Sequence, residues 1–200
     1  MNRQNVELHP LQPFLPVNTK VLFLGSFPPQ QKRWCMPFFY PNYINDHWRI
    51  TGEVFFNDKE YFVDSEHKTF CLEAIKIFLL EKGIGYYDTA CAVRRLNANA
   101  SDKYLEIVTP TDIQNLVRGL HQLKLIVTTG ELATKTLCST LAVASMPNVN
   151  ERIALPSLSN VEQRKDVFLY RLPSSSRAYP LAFSKKAEAY RQMYAFAGML

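Results

Sequence analysis

From Cys35 to Trp48 the chain reads CMPFFYPNYINDHW, which places Phe38, Phe39, Tyr40, Tyr43 and Trp48 beside Asn42, Asn45, Asp46 and His47. Rings interleaved with amide side chains can sandwich a flat heterocycle and read its edge. The same rings also suit an ordinary core, and the local pattern leaves both readings open. Much later, LPSSSRAY gathers Ser174, Ser175, Ser176 and Arg177. Small hydroxyl residues next to an Arg can hydrogen-bond phosphates through side chains and backbone N–H groups, or form a plain surface turn. Serine nucleophilic chemistry is not supported, because GxSxG is absent and no His follows the serines.

Other chemistries find little support. The loop GSFPP, Gly25 to Pro29, lacks both GxGxxG and the P-loop pattern. TTGE, from Thr128, offers at most one helix N-terminus to an anion, and a simple turn explains it as well. Cys35, Cys71, Cys91 and Cys138 form no CxxC pair, and His9, His47, His67 and His121 are scattered. Neither a metal site nor a cofactor is expected.

The elements that must position these residues follow an α/β rhythm. KVLFLGSF (20–27) is a short apolar run ended by turn-forming residues and predicts a buried strand. TFCLEAIKIFLLEKGIGYYD (69–88) starts with helical spacing, which Gly83 and Gly85 stop before a second strand in IGYYDTA. TPTDIQNLVRGL (109–120) predicts a helix start with Thr or Asp as cap and Pro110 near the first turn. LKLIVTTG (123–130) is a third strand, and ELATKTLCSTL continues as a helix. KDVFLYRLPSSS (165–176) is a fourth strand, and SKKAEAYRQMYAFAGML closes the chain as an amphipathic helix with Ser184 as cap.

Strand and helix in this alternation predict a parallel sheet covered by helices on both faces, within one domain spanning 1–200. Segment 28–68 is too long for a plain connection, so it is expected to be functional or to carry short helices. Ligands of open parallel sheets sit beyond the carboxyl ends of the strands. GSFPPQ, TTGE and LPSSSRAY are therefore expected on one edge, with the aromatic segment facing the serine loop across a cleft.

Composition sets the outer bounds. The 200 residues are 47% apolar, enough for a sizeable core. Neither a signal-peptide pattern nor a membrane-length apolar run is visible, so a soluble, cytoplasmic protein is expected, with no membrane partner. The formal charge of +5 suits a polyanionic partner without requiring one. Between positions 164 and 191, Arg164, Lys165, Arg171, Arg177, Lys185, Lys186 and Arg191 face only Asp166 and Glu188. That is a basic C-terminal region, or simply a solvated helix face.

Four segments taken in order resemble the uracil-DNA glycosylase superfamily over about 9 to 195. They are HPLQPFLPVNTKVLFLGSFPP, FFYPNYINDHWRI, GIGYYDTACAVRR and LPSSSRAYPLAFSKKAEAYRQM. The chain is most similar to the mismatch-specific and hypoxanthine-DNA glycosylase branch. The resemblance implies a three-layer αβα sandwich around a four-stranded parallel sheet. It also implies hydrolysis of the N-glycosidic bond of a deaminated or mismatched base (uracil, hypoxanthine or xanthine) flipped out of double-stranded DNA, without metal or cofactor, and a monomer is expected.

By position, Gly25, Ser26, Phe27 and Pro28 match the first motif and, with Phe39 or Tyr40 stacking on the base, would line its pocket. Ser174, Ser175, Ser176 and Arg177 match the terminal loop that grips DNA phosphates. Many members carry Asp or Asn, the water-positioning residue, where this chain has Phe27. The catalytic role then falls to Asn45 or, one position on, to Asp46, whose carboxylate could activate water as an amide cannot. Pro29, Arg177 and Tyr179 also depart from the pattern. They motivate a second reading, a catalytically inactive nucleic-acid-binding protein that keeps the fold. A third reading is a hydrolase of free nucleosides in the same pocket.

Overall fold

The computed structural model describes residues 6–96, 104–159 and 166–200. Its centre is built from the apolar runs. β1 (Val6–Leu8) precedes β2 (Val21–Gly25), whose first four residues are buried. Segment 28–68 contains α1 (His47–Phe56) and β3 (Val63–Asp64), which pairs with β4 (Thr69–Phe70). α2 (Leu72–Lys82) ends at Gly83, whose φ of 70° is the left-handed conformation that glycine tolerates best. β5 (Ile84–Asp88), β6 (Ala90–Arg95) and β7 (Leu105–Pro110) follow. The chain continues through α3 (Ile113–Leu116), β8 (Leu125–Thr128) and α4 (Glu131–Thr140). It ends with β9 (Arg152–Ala154), β10 (Phe168–Arg171) and α5 (Phe183–Phe196).

The main sheet has the order β5-β2-β8-β10-β9, and its first four strands run parallel. These are the four strands expected; β9 adds a fifth, antiparallel to β10 at the edge. β5 and β8 are buried at every residue, which requires cover on both sheet faces. Accordingly α2 packs on β5, α4 on β8, and α1 on α5. Buried apolar side chains from Val21 to Met199 form one hydrophobic cluster. No helix among the described residues is long and apolar enough to cross a membrane.

Several local expectations are corrected. Thr109 and Pro110 close β7 rather than opening a helix, and α3 starts after Asp112, whose Oδ1 accepts from Asn115 N at 3.0 Å. Thr69 and Phe70 belong to the β3–β4 hairpin, so α2 begins three residues later than its apolar spacing suggests. Ser184 lies inside α5; the cap position is held by Ala182. A second sheet, antiparallel with order β1-β6-β7, was not foreseen, because only Thr89 separates β5 from β6. Arg164 and Lys165 of the basic region lie outside the described residues.

Strand order places the cleft. β2 lies between β5 and β8, so the loop leaving β2 and the loop leaving β8 run to opposite sides. Such a switch point leaves a crevice at the carboxyl ends of the strands.

Candidate active site

A cavity of about 230 Å³ opens at that edge. It is walled by Gly25 to Pro29 after β2, Asp88 at the end of β5, Thr129 and Gly130 after β8, and Ser174 to Ser176 after β10. Phe39 to Asn42 and Asn45, from the segment before α1, complete it. The three loops expected on one edge therefore meet, joined by a fourth strand end. Ten of the proposed site residues line the cavity: Gly25, Ser26, Phe27, Pro28, Phe39, Tyr40, Asn45, Ser174, Ser175 and Ser176. Asp46 and Arg177 do not.

The aromatic wall is fixed by its neighbours. Phe39 is buried and stacks on Tyr86 at 5.8 Å. Tyr40 has φ 48°, a strained conformation for a bulky residue. Two contacts hold it there: its ring lies flat on His47 at 3.7 Å, and its hydroxyl is 2.7 Å from Thr129 Oγ1. Tyr40 thereby ties the segment before α1 to the loop after β8. Phe27 sits edge-on to His9 at 5.2 Å, with the Arg95 guanidinium 5.6 Å from its ring centre. Arg95 also binds Glu7 through Nε and donates to Pro28 O at 2.7 Å, clamping the GSFPP loop from behind. A wider depression of about 530 Å³ lies on that rear side, lined by Glu7, Trp34 and Arg95 among others.

Asn45 and Asp46 part company. Asn45 Oδ1 accepts the backbone N–H of His47 at 2.9 Å, which anchors the first turn of α1. Asn45 also lines the cavity. The Asp46 carboxylate is instead held by Arg177 Nε at 2.9 Å and Lys186 Nζ at 3.4 Å. Lys186, only 2% exposed, also donates to Ser176 O at 2.7 Å, and Asp46 N donates to Ser175 O. The result is a clasp that locks the serine loop and α5 onto the start of α1. Much of the basic C-terminal region is likewise structural, since Arg171 donates to Pro147 O and Arg191 to Val54 O.

His47 lies behind the aromatic wall, fully buried, with Nε2 2.8 Å from the Tyr86 hydroxyl and Nδ1 unpartnered. Burial lowers its pKa from 6.5 to about 3, because the imidazolium would lose its hydration. Between these values the unfolded chain binds the proton and the folded one does not. Stability therefore rises with pH across this window and is lost as pH falls from about 6.5 towards 3. Thermal melts from pH 7 to pH 4 are expected to show that decline. His47→Phe should flatten it by up to about 1.4 kcal/mol per pH unit, and an unchanged slope would refute the assignment.

Asp88, which lines the cavity, and its partner His9 are residues that sequence reasoning passed over. Asp88 is a lone acid closing an apolar strand, and His9 lies 79 positions away. Their side chains meet at 2.9 Å between Asp88 Oδ2 and His9 Nε2. Gly25, opposite Asp88 in the sheet register, makes room for the carboxylate, because any Cβ there would overlap Asp88 Oδ1. All four cysteines are free, and no cluster of three or more potential metal ligands occurs among the described residues.

No family model and no curated protein matches the chain. A solved structure does: the solution NMR structure of a putative uracil DNA glycosylase from Methanosarcina acetivorans. The match has a TM-score of 0.55 at 21% sequence identity, and it covers 91% of this chain and 95% of that one. The fold is uracil-DNA glycosylase-like. In this glycosylase-like fold the mostly parallel sheet, its helices and the crevice at the switch point are one arrangement, running through nearly the whole chain.

Proposed function

We propose that the chain is a monofunctional DNA glycosylase, hydrolysing the N-glycosidic bond of a deaminated base (uracil, hypoxanthine or xanthine) flipped out of duplex DNA. The observation that carries this reading is the small cavity itself, which has a ring wall of Phe39 and Tyr40, an amide from Asn45 and a floor of strand ends. A cavity of about 230 Å³ suits one flat base rather than a stretch of nucleic acid. The neighbouring NMR structure, of a protein described as a putative uracil DNA glycosylase, supports the same activity class.

In this reading the Ser174–Ser176 loop grips the phosphates flanking the flipped nucleotide through hydroxyls and backbone N–H groups. Arg177 is half-exposed beside it and extends the grip while paired with Asp46. The base slides against Phe39 and Tyr40, and a lesion that pairs weakly is extruded at lower cost. Departure of the base leaves positive charge on the sugar, so the site must stabilise that charge and hold a water in line. Phe27 offers no polar atom for the water. Asn45, the polar side chain of this segment that lines the cavity beside Asn42, takes the positioning role, and Asp46 serves as the strut beneath it.

The test is a panel of duplexes carrying single lesions, treated with enzyme and then with alkali. At least one of uracil, hypoxanthine or xanthine is expected to give a cleaved strand, with binding that weakens steeply as salt rises. Salt-dependent binding with no product from any lesion would favour the inactive nucleic-acid-binding reading. Turnover of free nucleosides alone would favour a nucleoside hydrolase.

A further inference from the structure

The Asp46 carboxylate, the one the sequence offers for activating water, is held by two cations outside the cavity. Another carboxylate does reach the cavity wall. Asp88 ends β5, next to β2 at the cavity edge, with its side chain 9% exposed. A carboxylate buried to that degree is costly without a partner. Its partner is His9, its side chain 3% exposed, which is supplied by the segment after β1 in the other sheet.

His9 is fixed more firmly than simple ion pairing requires. Its backbone N–H donates to Cys91 O, and Nδ1 lies 3.2 Å from Leu11 N and 2.9 Å from Leu11 O. Both ring nitrogens are thus engaged, Nδ1 against the Leu11 backbone and Nε2 2.9 Å from Asp88 Oδ2. The ring is also packed between Phe27 at 5.2 Å and Tyr87 at 4.6 Å. Phe27, which takes the place of a polar residue, thus helps hold the histidine that orients Asp88. Gly25 keeps the carboxylate close to the end of β2, with Oδ1 on the Gly25 side and Oδ2 on His9.

We propose that Asp88 is the general base of this site and that His9 is its positioning residue; the inference rests on the glycosylase reading above. Asn45 holds the water, and Asp88 takes a proton from it. The water oxygen bonds to C1′ of the sugar as the C1′–N bond breaks, and the electron pair of that bond leaves with the base. The proton held by Asp88 passes to the departing base, so one water is added and no further reactant is needed.

The test uses single-turnover kinetics on the lesion that the wild-type chain processes. Asp88→Asn keeps the shape and a hydrogen bond but cannot take the proton, so its rate is expected to fall about 10²- to 10⁴-fold. The DNA concentration giving half-maximal rate should stay as in the wild type. Asp88→Glu is expected to recover part of the rate. His9→Phe should lose rate, and His9→Gln, whose amide can still donate to Asp88 Oδ2, should regain it. Thermal melts of each variant separate loss of fold from loss of chemistry, and the His9 pair tests the idea if Asp88→Asn does not fold.

Asp88→Asn within threefold of wild type would overturn the proposal and leave the glycosylase reading intact. So would a loss that falls on the half-saturating concentration, or that re-ranks the lesions, since Asp88 would then be reading the base. A wild-type chain that releases no lesion base overturns the glycosylase reading, and this inference with it.

Discussion

Asp46→Ala is expected to destabilise the fold by about 3–5 kcal/mol, because it strands a buried cation. In a chain of this size that is a fall of roughly 6–20 °C in melting temperature. The reason is Lys186, which is 2% exposed and has Asp46 Oδ2 as its carboxylate partner at 3.4 Å. Arg177 contributes far less, since its side chain is 51% exposed and water screens it. The check is a double variant. Asp46→Ala combined with Lys186→Met removes both charges and should recover much of the lost stability. If it melts no higher than Asp46→Ala alone, the clasp is not what Asp46 provides. Any activity lost in Asp46→Ala is expected to track displacement of the serine loop, which Asp46 N and Lys186 hold at Ser175 O and Ser176 O.

Asn45→Ala is expected to lower the rate of base release by about 10²- to 10³-fold, the usual loss when one preorganised polar group is removed from a reacting centre. DNA affinity should stay within a few-fold, because the serine loop proposed to grip the phosphates is untouched. Loss of the Oδ1 contact to His47 N should lower stability by about 0.5–2 kcal/mol, as for a helix cap. Asn45→Asp retains that acceptor and separates the two effects: it should restore the melt while leaving release impaired. An Asn45→Ala protein that keeps more than about a tenth of the wild-type rate would remove Asn45 from the mechanism.

The two neighbours illustrate how far a sequence reading reaches. Adjacent polar residues after an aromatic run marked a segment that reaches the cavity, and Asn45 does line it. Which of the pair faced inward depended on the start of α1 and on Lys186, 140 positions away from Asp46. Asp88 was harder to see, because one acid at the end of IGYYD carries no pattern and its histidine lies in another sheet. The ring cluster divides between core and cavity. Phe38 and Trp48 are core, while Phe39 and Tyr40 form the cavity wall.

The sequence by itself determined the four parallel strands, the stop of α2 at Gly83, and the loops that line the cavity. Those signals act locally: an apolar run, a glycine at positive φ, and a strand end that must open into a turn. Only the tertiary structure decided the antiparallel sheet, the edge strand β9, the Asp46–Lys186 clasp and the meeting of His9 with Asp88. Each of these joins short or unpatterned segments whose partners are chosen by the order of strands. A side chain's charge or hydrogen bond is settled by what the fold brings within about 3 Å, and spacing along the chain carries no record of that.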